Sequence, residues 1–213
     1  MNDLTSLRNQ VESLFHSQLL QTQVSDIEMT LWLLEAPEAQ DFSPAQVEAI
    51  WSNMPYWAFV WSSGRALARY LLENPQLVKD KVIADFGAGS GVVALAALQA
   101  GAKRAIAVDI DPAALCACQE NAKLNSMHLD VATSLDELNQ VEIILVGDVL
   151  YDPRNHGLAQ QLFNQKTAVI WAESRAQTKL SEYGPVASIE GETLPNIGGF
   201  DEHKTIHIYH HGL

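Results

Sequence analysis

Asp85, Gly87, Gly89 and Gly91 alternate at the end of the apolar run Val82-Ile83-Ala84, and a second apolar run, Ala105–Val108, ends in Asp109. Glycines at this density let the chain turn sharply and let a ligand approach the backbone with no Cβ in the way. Their spacing also excludes a class of ligand. The dinucleotide fingerprint G-x-G-x-x-G rests a pyrophosphate on the amides of a helix start. Here the third glycine position of that fingerprint falls on Val92, and Asp85 places a carboxylate ahead of the loop. A carboxylate there repels phosphate and suits a ligand with a positive end. Asp109 is the acceptor that ribose hydroxyls require.

S-adenosylmethionine meets these terms: it has no phosphate, a sulfonium cation, a free amino group and a ribose. An ordinary nucleotide-binding Rossmann unit and a glycine turn without a ligand are the competing readings. A second chemical segment is Gly147-Asp148-Val149-Leu150-Tyr151-Asp152, at the end of the apolar run Ile143–Val146. In open α/β sheets, ligands bind beyond the carboxyl ends of the strands at the topological switch point. Asp148 and Tyr151 are therefore expected to face the crevice of Gly87 and Asp109. An N-P-P-Y tetrapeptide, which grips planar amides and base amines, is absent from this place. That argues against adenine, cytosine or glutamine-amide substrates.

The elements that position these residues follow from periodicity and punctuation. Residues 1–25 are expected to form an amphipathic helix carrying Leu4, Leu7, Val11, Leu14 and Phe15. The stretch 27–34 fits either a strand or a helix. Ser43-Pro44 reads as a cap with proline at the first helical position, opening a helix to about Trp51. The aromatic-dense linker 55–61 leads into a helix from Ser63 to about Leu72. Strands are expected near 82–86, 104–109, 127–131, 142–147, 167–172, 186–193 and 204–210, and helices near 90–100, 112–124, 154–164 and 175–181. Alternation of this kind builds a parallel α/β sheet with helices on both faces. No helix-length segment separates the last two strands, only 194–203 with Gly198-Gly199, so they pair as an antiparallel hairpin. The division expected is an N-terminal, mainly helical extension, 1–54, and an α/β domain, 55–213.

Asp85-x-Gly87-x-Gly89-x-Gly91 with Asp109 resembles the first two motifs of the class I S-adenosylmethionine-dependent methyltransferases, whose sheet has this seven-stranded, Rossmann-like plan. Asp148-x-x-Tyr151, together with W-x-x-G-x-A-L-A-R-Y-L over 61–71, resembles the lysine methyltransferases grouped as methyltransferase family 16. Within that group, 55–61 and 147–152 are similar to enzymes acting on the electron transfer flavoprotein β subunit. Asp109-Ile110-Asp111-Pro112 and Asn121-Ala122-x-x-Asn125 are more loosely similar to enzymes acting on a ribosomal stalk-base protein. The match covers roughly 50–155.

The resemblance implies an S-adenosylmethionine-dependent enzyme that methylates lysine side chains of a protein substrate. It places Trp61, the glycine loop, Asp109, Ile110, Thr133 and Gly147 around the cofactor, and Asp148 and Tyr151 at the target amine. Thr133 stands where the family often has an aromatic over the adenine. The alternatives are a small-molecule N-methyltransferase and a catalytically silent binding module of the same fold. On chemical grounds Asp148 would bind and aim the amine, and Tyr151 would supply an aromatic wall or a hydroxyl. The structural alternatives are a helix cap for Asp148 and packing for Tyr151 and Trp61. Asp111 reads as a helix cap, and Asn121 and Asn125 as a helix-surface pair.

Composition limits partners. The 213 residues carry a formal net charge of −13, which repels nucleic-acid backbones and favours a basic partner such as a lysine-bearing protein segment. No basic patch, secretory pattern or membrane-length apolar run is present, so a cytoplasmic location is expected. Cys116 and Cys118 read as small apolar groups. His203, His207, His210 and His211 fit a strand with one wetter face, and no metal site is expected.

Overall fold

The computed structural model describes residues 3–36, 43–197 and 204–213. Helix α1 (Leu4–Phe15) is followed by a hairpin of β1 (Leu19–Val24) and β2 (Met29–Leu34), then α2 (Pro44–Ser52) and α3 (Ser62–Glu73). The α/β portion runs β3 (Val82–Phe86), α4 (Val92–Gln99), β4 (Arg104–Val108), α5 (Pro112–Leu124), β5 (Asp130–Ala132), β6 (Ile143–Gly147), α6 (Leu158–Phe163), β7 (Ala168–Glu173), β8 (Ala187–Glu190) and β9 (Thr205–His211).

The seven-stranded sheet has the order β5-β4-β3-β6-β7-β9-β8. Its first five strands are parallel, and β9 lies antiparallel between β7 and β8. The chain walks outward from β3 through β4 to β5 and then returns to β6 on the other side of β3. That reversal opens a crevice beyond the carboxyl ends of β3 and β6. Ile143 to Val146 are all buried, as a strand covered on both faces requires. Helix α4 buries Val92 to Ala97 with no polar stripe, so it fits under the sheet and against α3.

The hairpin corrects the single helix expected over 1–25. Asp3 caps α1, and the helix stops at His16, whose φ of 50° is left-handed. The helical stripe of apolar residues ends at Phe15. Beyond it, 19–24 pairs in register with 29–34, from Leu19 opposite Leu34 to Val24 opposite Met29.

The two asparagines of α5 hold this hairpin in place, and so are not a surface pair. Asn121 is fully buried; its Oδ1 accepts from Trp32 N at 2.7 Å, and its Nδ2 donates to Ser90 O at 2.9 Å. Asn125 Oδ1 accepts from Thr30 N at 3.1 Å, and its Nδ2 donates to Thr30 O at 2.7 Å. The spacings match: four helical residues rise ~6 Å and two strand residues ~6.6 Å. Two side chains one turn apart therefore meet alternate residues of the free edge of β2. Asn121→Ala would orphan Trp32 N–H and Ser90 C=O in the interior. A loss of roughly 1–3 kcal/mol in denaturant-melt stability is expected, whereas a surface asparagine would change it by a few tenths.

Three other expectations shift. Helix 154–164 is split into a 3-10 turn over Pro153–Asn155 and α6, with Gly157 between them. Residues 177–183 form a 3-10 helix and not an α-helix, and β5 begins at Asp130 and not 127. Asp111 caps α5, its Oδ1 accepting from Ala113 N at 2.8 Å with Pro112 at the first helical position. Gly198, Gly199 and His203 lie outside the described residues.

Candidate active site

The glycine loop is shaped by what packs beneath it. Gly87 has φ +73°, and a Cβ there would come within 2.7 Å of Val149 Cγ1, so the loop after β3 rests directly on the segment after β6. Gly91 caps α4 at φ +77°, where a Cβ would meet Cys118 Sγ at 3.0 Å and its Cα at 3.2 Å. Cys118 is fully buried, which pushes its thiol well up and keeps it neutral. Its Sγ lies 3.3 Å from Gly89 O. Gly89 faces open space, with only Tyr56 O within reach of an added Cβ.

Two acids border the loop. Asp109 accepts from Gly89 N and from Asp111 N, both at 3.0 Å, so the end of β4 clasps the loop after β3. Burial pushes this carboxyl up, and the two amides oppose the rise. Ionised carboxylates offer about four lone-pair sites, which leaves Asp109 capacity for a ligand hydroxyl. Asp85 is 2% exposed, and its Oδ2 accepts from Ala94 N at 3.0 Å. It therefore caps α4 through space, supplying the acceptor that Gly91 lacks, and it lies behind the loop. This corrects the expectation that Asp85 faces the ligand. Burial pushes Asp85 to about 7, with Asp109 adding to the rise and the Ala94 amide opposing it.

An acid whose folded-state value lies above its unfolded one takes up a proton on folding. Asp85 therefore costs stability progressively as pH rises from about 4 to about 7, and fully above that. Asp85→Asn keeps an oxygen for Ala94 N and removes the titration. In thermal melts, the difference in Tm between variant and wild type should move in the variant's favour by a few degrees from about pH 5 to about pH 8. A difference that stays flat would show Asp85 to be ionised throughout.

Asp148 follows β6 at φ +45°, a left-handed conformation uncommon outside glycine, asparagine and aspartate. Its Oδ1 accepts from Ser174 N at 2.8 Å and its Oδ2 from Ser174 Oγ at 2.7 Å. Tyr151 is 56% exposed, and its ring centroid lies 5.5 Å from that of Tyr56. Burial of the phenol, with Tyr56 and Asp109 adding, pushes it up and keeps it neutral. Tyr56 in turn lies 5.6 Å from Trp61, and its carbonyl accepts from Trp61 Nε1 at 2.9 Å. Tyr56 thus joins the glycine loop, Trp61 and Tyr151 into one rim.

Ile110 is 69% exposed beside Asp109, and Thr133 is exposed just after β5. Gly147 ends β6 against Ser63 and Gly64 at the start of α3. The structure therefore gathers Trp61, the glycine loop, Asp109, Ile110, Gly147, Asp148 and Tyr151 at the carboxyl edge of the sheet. Sequence reasoning left out Tyr56, Glu173 and Ser174. An acid at the carboxyl end of β7, in register with Asp148, was the signal for Glu173. Of the histidines, His207 meets Ser188 Oγ at 2.8 Å, His210 meets the ring of Tyr70 and His211 stacks on Phe163. No cluster of three metal-ligating side chains occurs among the described residues.

The donor set fits S-adenosylmethionine better than a phosphate ligand. Asp109 already raises the buried Asp85 beside the loop, and a pyrophosphate would add further negative charge there. A sulfonium offsets that charge, and Asp109 can take a hydroxyl.

Residues 65–165 match the family model described as ribosomal protein L11 methyltransferase (PrmA). The fold is similar to that of a solved structure, the ribosomal protein L11 methylase of Lactobacillus delbrueckii subsp. bulgaricus, at a TM-score of 0.51 and 23% identity over 70% of this chain and 79% of that one. The matched residues, just under half of the chain, are similar to that methyltransferase family, and the sheet shares its Rossmann-like fold. The electron transfer flavoprotein beta subunit lysine methyltransferase of Mus musculus is 42% identical to the chain over 102 residues, 46% of this chain and 40% of that protein. The ribosomal protein L11 methyltransferase of Alteromonas mediterranea is 44% identical over 75 residues, 34% of this chain and 26% of that protein. The chain thus matches less than half the length of these curated relatives. The stretch matched by the family model includes the glycine loop, Asp109 and Asp148, while the hairpin and α2 precede it.

Proposed function

We propose that the chain methylates the side-chain amine of a lysine in a protein substrate, with S-adenosylmethionine as donor. The observation that carries this reading is the contact between two segments. The loop that would hold the donor packs on Val149, and Asp148 and Tyr151 flank that residue. Tyr56 spans the gap from Gly89 to Tyr151. The names of the relatives, a lysine methyltransferase and a ribosomal protein methyltransferase, support a protein substrate. An electron transfer flavoprotein β subunit and a ribosomal protein are the first candidates. A cytoplasmic location belongs to the same reading and rests on composition.

Bound S-adenosylmethionine supplies an electrophilic methyl group on sulfur for in-line displacement by a neutral amine. Gly87, Gly89 and Gly91 keep side chains out of its cradle, Asp109 accepts from the ribose, and Trp61, Ile110, Thr133 and Gly147 line the surround. A free lysine titrates near 10.4, so an amine must shed its proton and be held at attack distance. A carboxylate beside an ammonium favours the charged form. Asp148 therefore binds and aims the amine, and the proton leaves to solvent as water is displaced. Tyr56, Trp61 and Tyr151 form a rim that excludes water and tolerates a cation on their faces.

Incubation of the purified protein with isotope-labelled donor and a host lysate, followed by peptide mapping, tests this. Label on lysine is expected. Label confined to small molecules would replace the proposal with a small-molecule methyltransferase, and donor binding without transfer to any basic protein would favour a silent module. Asp109→Ala is expected to weaken donor binding by roughly 1.5–3 kcal/mol in isothermal titration, the scale of a hydrogen bond to a charged group. An unchanged affinity would place the ribose elsewhere.

A further inference from the structure

Glu173 ends β7 next to Asp148, which continues β6. Gly147 is opposite Ala172, and Asp148 N donates to Ala172 O at 3.0 Å, so the two acids are neighbours on adjacent parallel strands. Glu173 is 1% exposed. Its Oε1 accepts from Ala176 N at 3.0 Å and Arg175 N at 3.2 Å, while Oε2 faces Trp171 Nε1 at 3.4 Å. On neighbouring positions of adjacent strands, the two carboxyls lie side by side and raise the question of a shared hydrogen bond. Two carboxylates can share a hydrogen bond only if one carries a proton. Burial, then the charge of Asp148, pushes Glu173 up to about 8, so Glu173 is the acid that carries the proton at neutral pH.

We infer that Glu173 is a positioning residue: its carboxylic proton, with Ser174 N and Oγ, fixes the Asp148 carboxylate so that its remaining lone pair faces the crevice. The inference rests on the proposed reaction for its purpose and on strand register for its geometry. Three donors on about four acceptor sites leave one for an incoming amine. The arrangement also explains how Asp148 holds a left-handed backbone, since surrounding bonds over-determine it. Facing Glu173 are Asp148 from the end of β6, the backbone amide of Arg175 after β7, and Tyr209 and His207 on β9, while Lys179 lies in the 3-10 helix that follows. Lys179 Nζ donates to Leu150 O, and His207 is tied to Ser188. On α3, Arg65 and Arg69 pair with Asp26. Helix α6 contributes no titratable group.

Carbon-13 NMR of selectively labelled glutamate follows the pair directly, without donor or substrate. The Glu173 carboxyl should titrate near neutrality or above in wild type, and at least one pH unit lower in Asp148→Asn. A carboxyl already ionised at about pH 6, or a titration unmoved by Asp148→Asn, overturns the inference. Kinetics read the consequence. Glu173→Gln keeps a donor for Asp148 and cannot ionise, so it should retain activity within about threefold at neutral pH. Its kcat/KM should rise relative to wild type above about pH 8. Glu173→Ala should lower kcat at least tenfold with the KM for the donor unchanged. Equal loss in both variants with no change in pH profile would make Glu173 merely structural. A wild type that shows the titration but methylates no protein would overturn the proposed function and leave the shared proton standing.

Discussion

Asp148→Asn lowers turnover by about 10²–10⁴-fold, the range for a lost acid–base or aiming group, with donor affinity within about twofold of wild type. Asparagine tolerates the left-handed φ at this position, so the backbone after β6 stays in place. Its amide oxygen still accepts from Ser174 N, and the rotatable Ser174 hydroxyl can turn to accept from the new NH₂. What disappears is the negative charge that draws and aims an ammonium. The donor side is expected to be spared because the glycine loop is held by Asp109 and Asp85, neither of which bonds to Asp148. Initial rates with labelled donor, together with isothermal titration, separate the two terms. Parallel loss of both would mean that Asp148 supports the fold of the site and does not address the substrate.

Gly87→Ala should lower stability markedly. The left-handed backbone costs an alanine about 1–2 kcal/mol, and the 2.7 Å approach to Val149 adds an overpacking term of about 1–3 kcal/mol. Together these amount to roughly 2–5 kcal/mol, or a fall of roughly 4–20 °C in Tm for a chain of this size. Because Val149 sits between Asp148 and Tyr151, relaxing the clash pushes the proposed aiming residue out of line, so turnover should fall further than stability alone predicts. Val149→Ala in the same background should recover the steric part but not the backbone part, giving less than additive losses. Strictly additive losses would show that the two loops do not touch.

The α/β core was readable because its signals are local. Helix α5 has the limits expected from Asp111-Pro112, where a cap and a proline fix the start. Ile143–Val146 announced a strand buried on both faces, and the switch-point rule then placed Asp148 beside the glycine loop. The remainder depended on pairings between distant positions that leave no periodic trace. The roles of Asn121 and Asn125 exist only because β2 offers Trp32 and Thr30 at a matching rise, and 27–34 alone could not declare itself a strand. Asp85 looked like a ligand contact because motif position says nothing of side-chain direction, whereas helix α4 lacked a cap and took its carboxylate. Glu173 went unremarked for a related reason: its meaning arises from the neighbour it acquires across the sheet.

The hairpin at 19–34 bears on how this protein can be trimmed for experiment. Asn121 grips Trp32 with one end of its amide and Ser90, inside the glycine loop, with the other. A shortened version beginning near Pro55 would strip the cover from Ala113, Ala114 and Ala117 on α5 and leave that amide half-engaged. Such a fragment, however well it keeps the sheet, would present a slackened cradle to its donor, and a weak assay on it would report the surgery and not the enzyme.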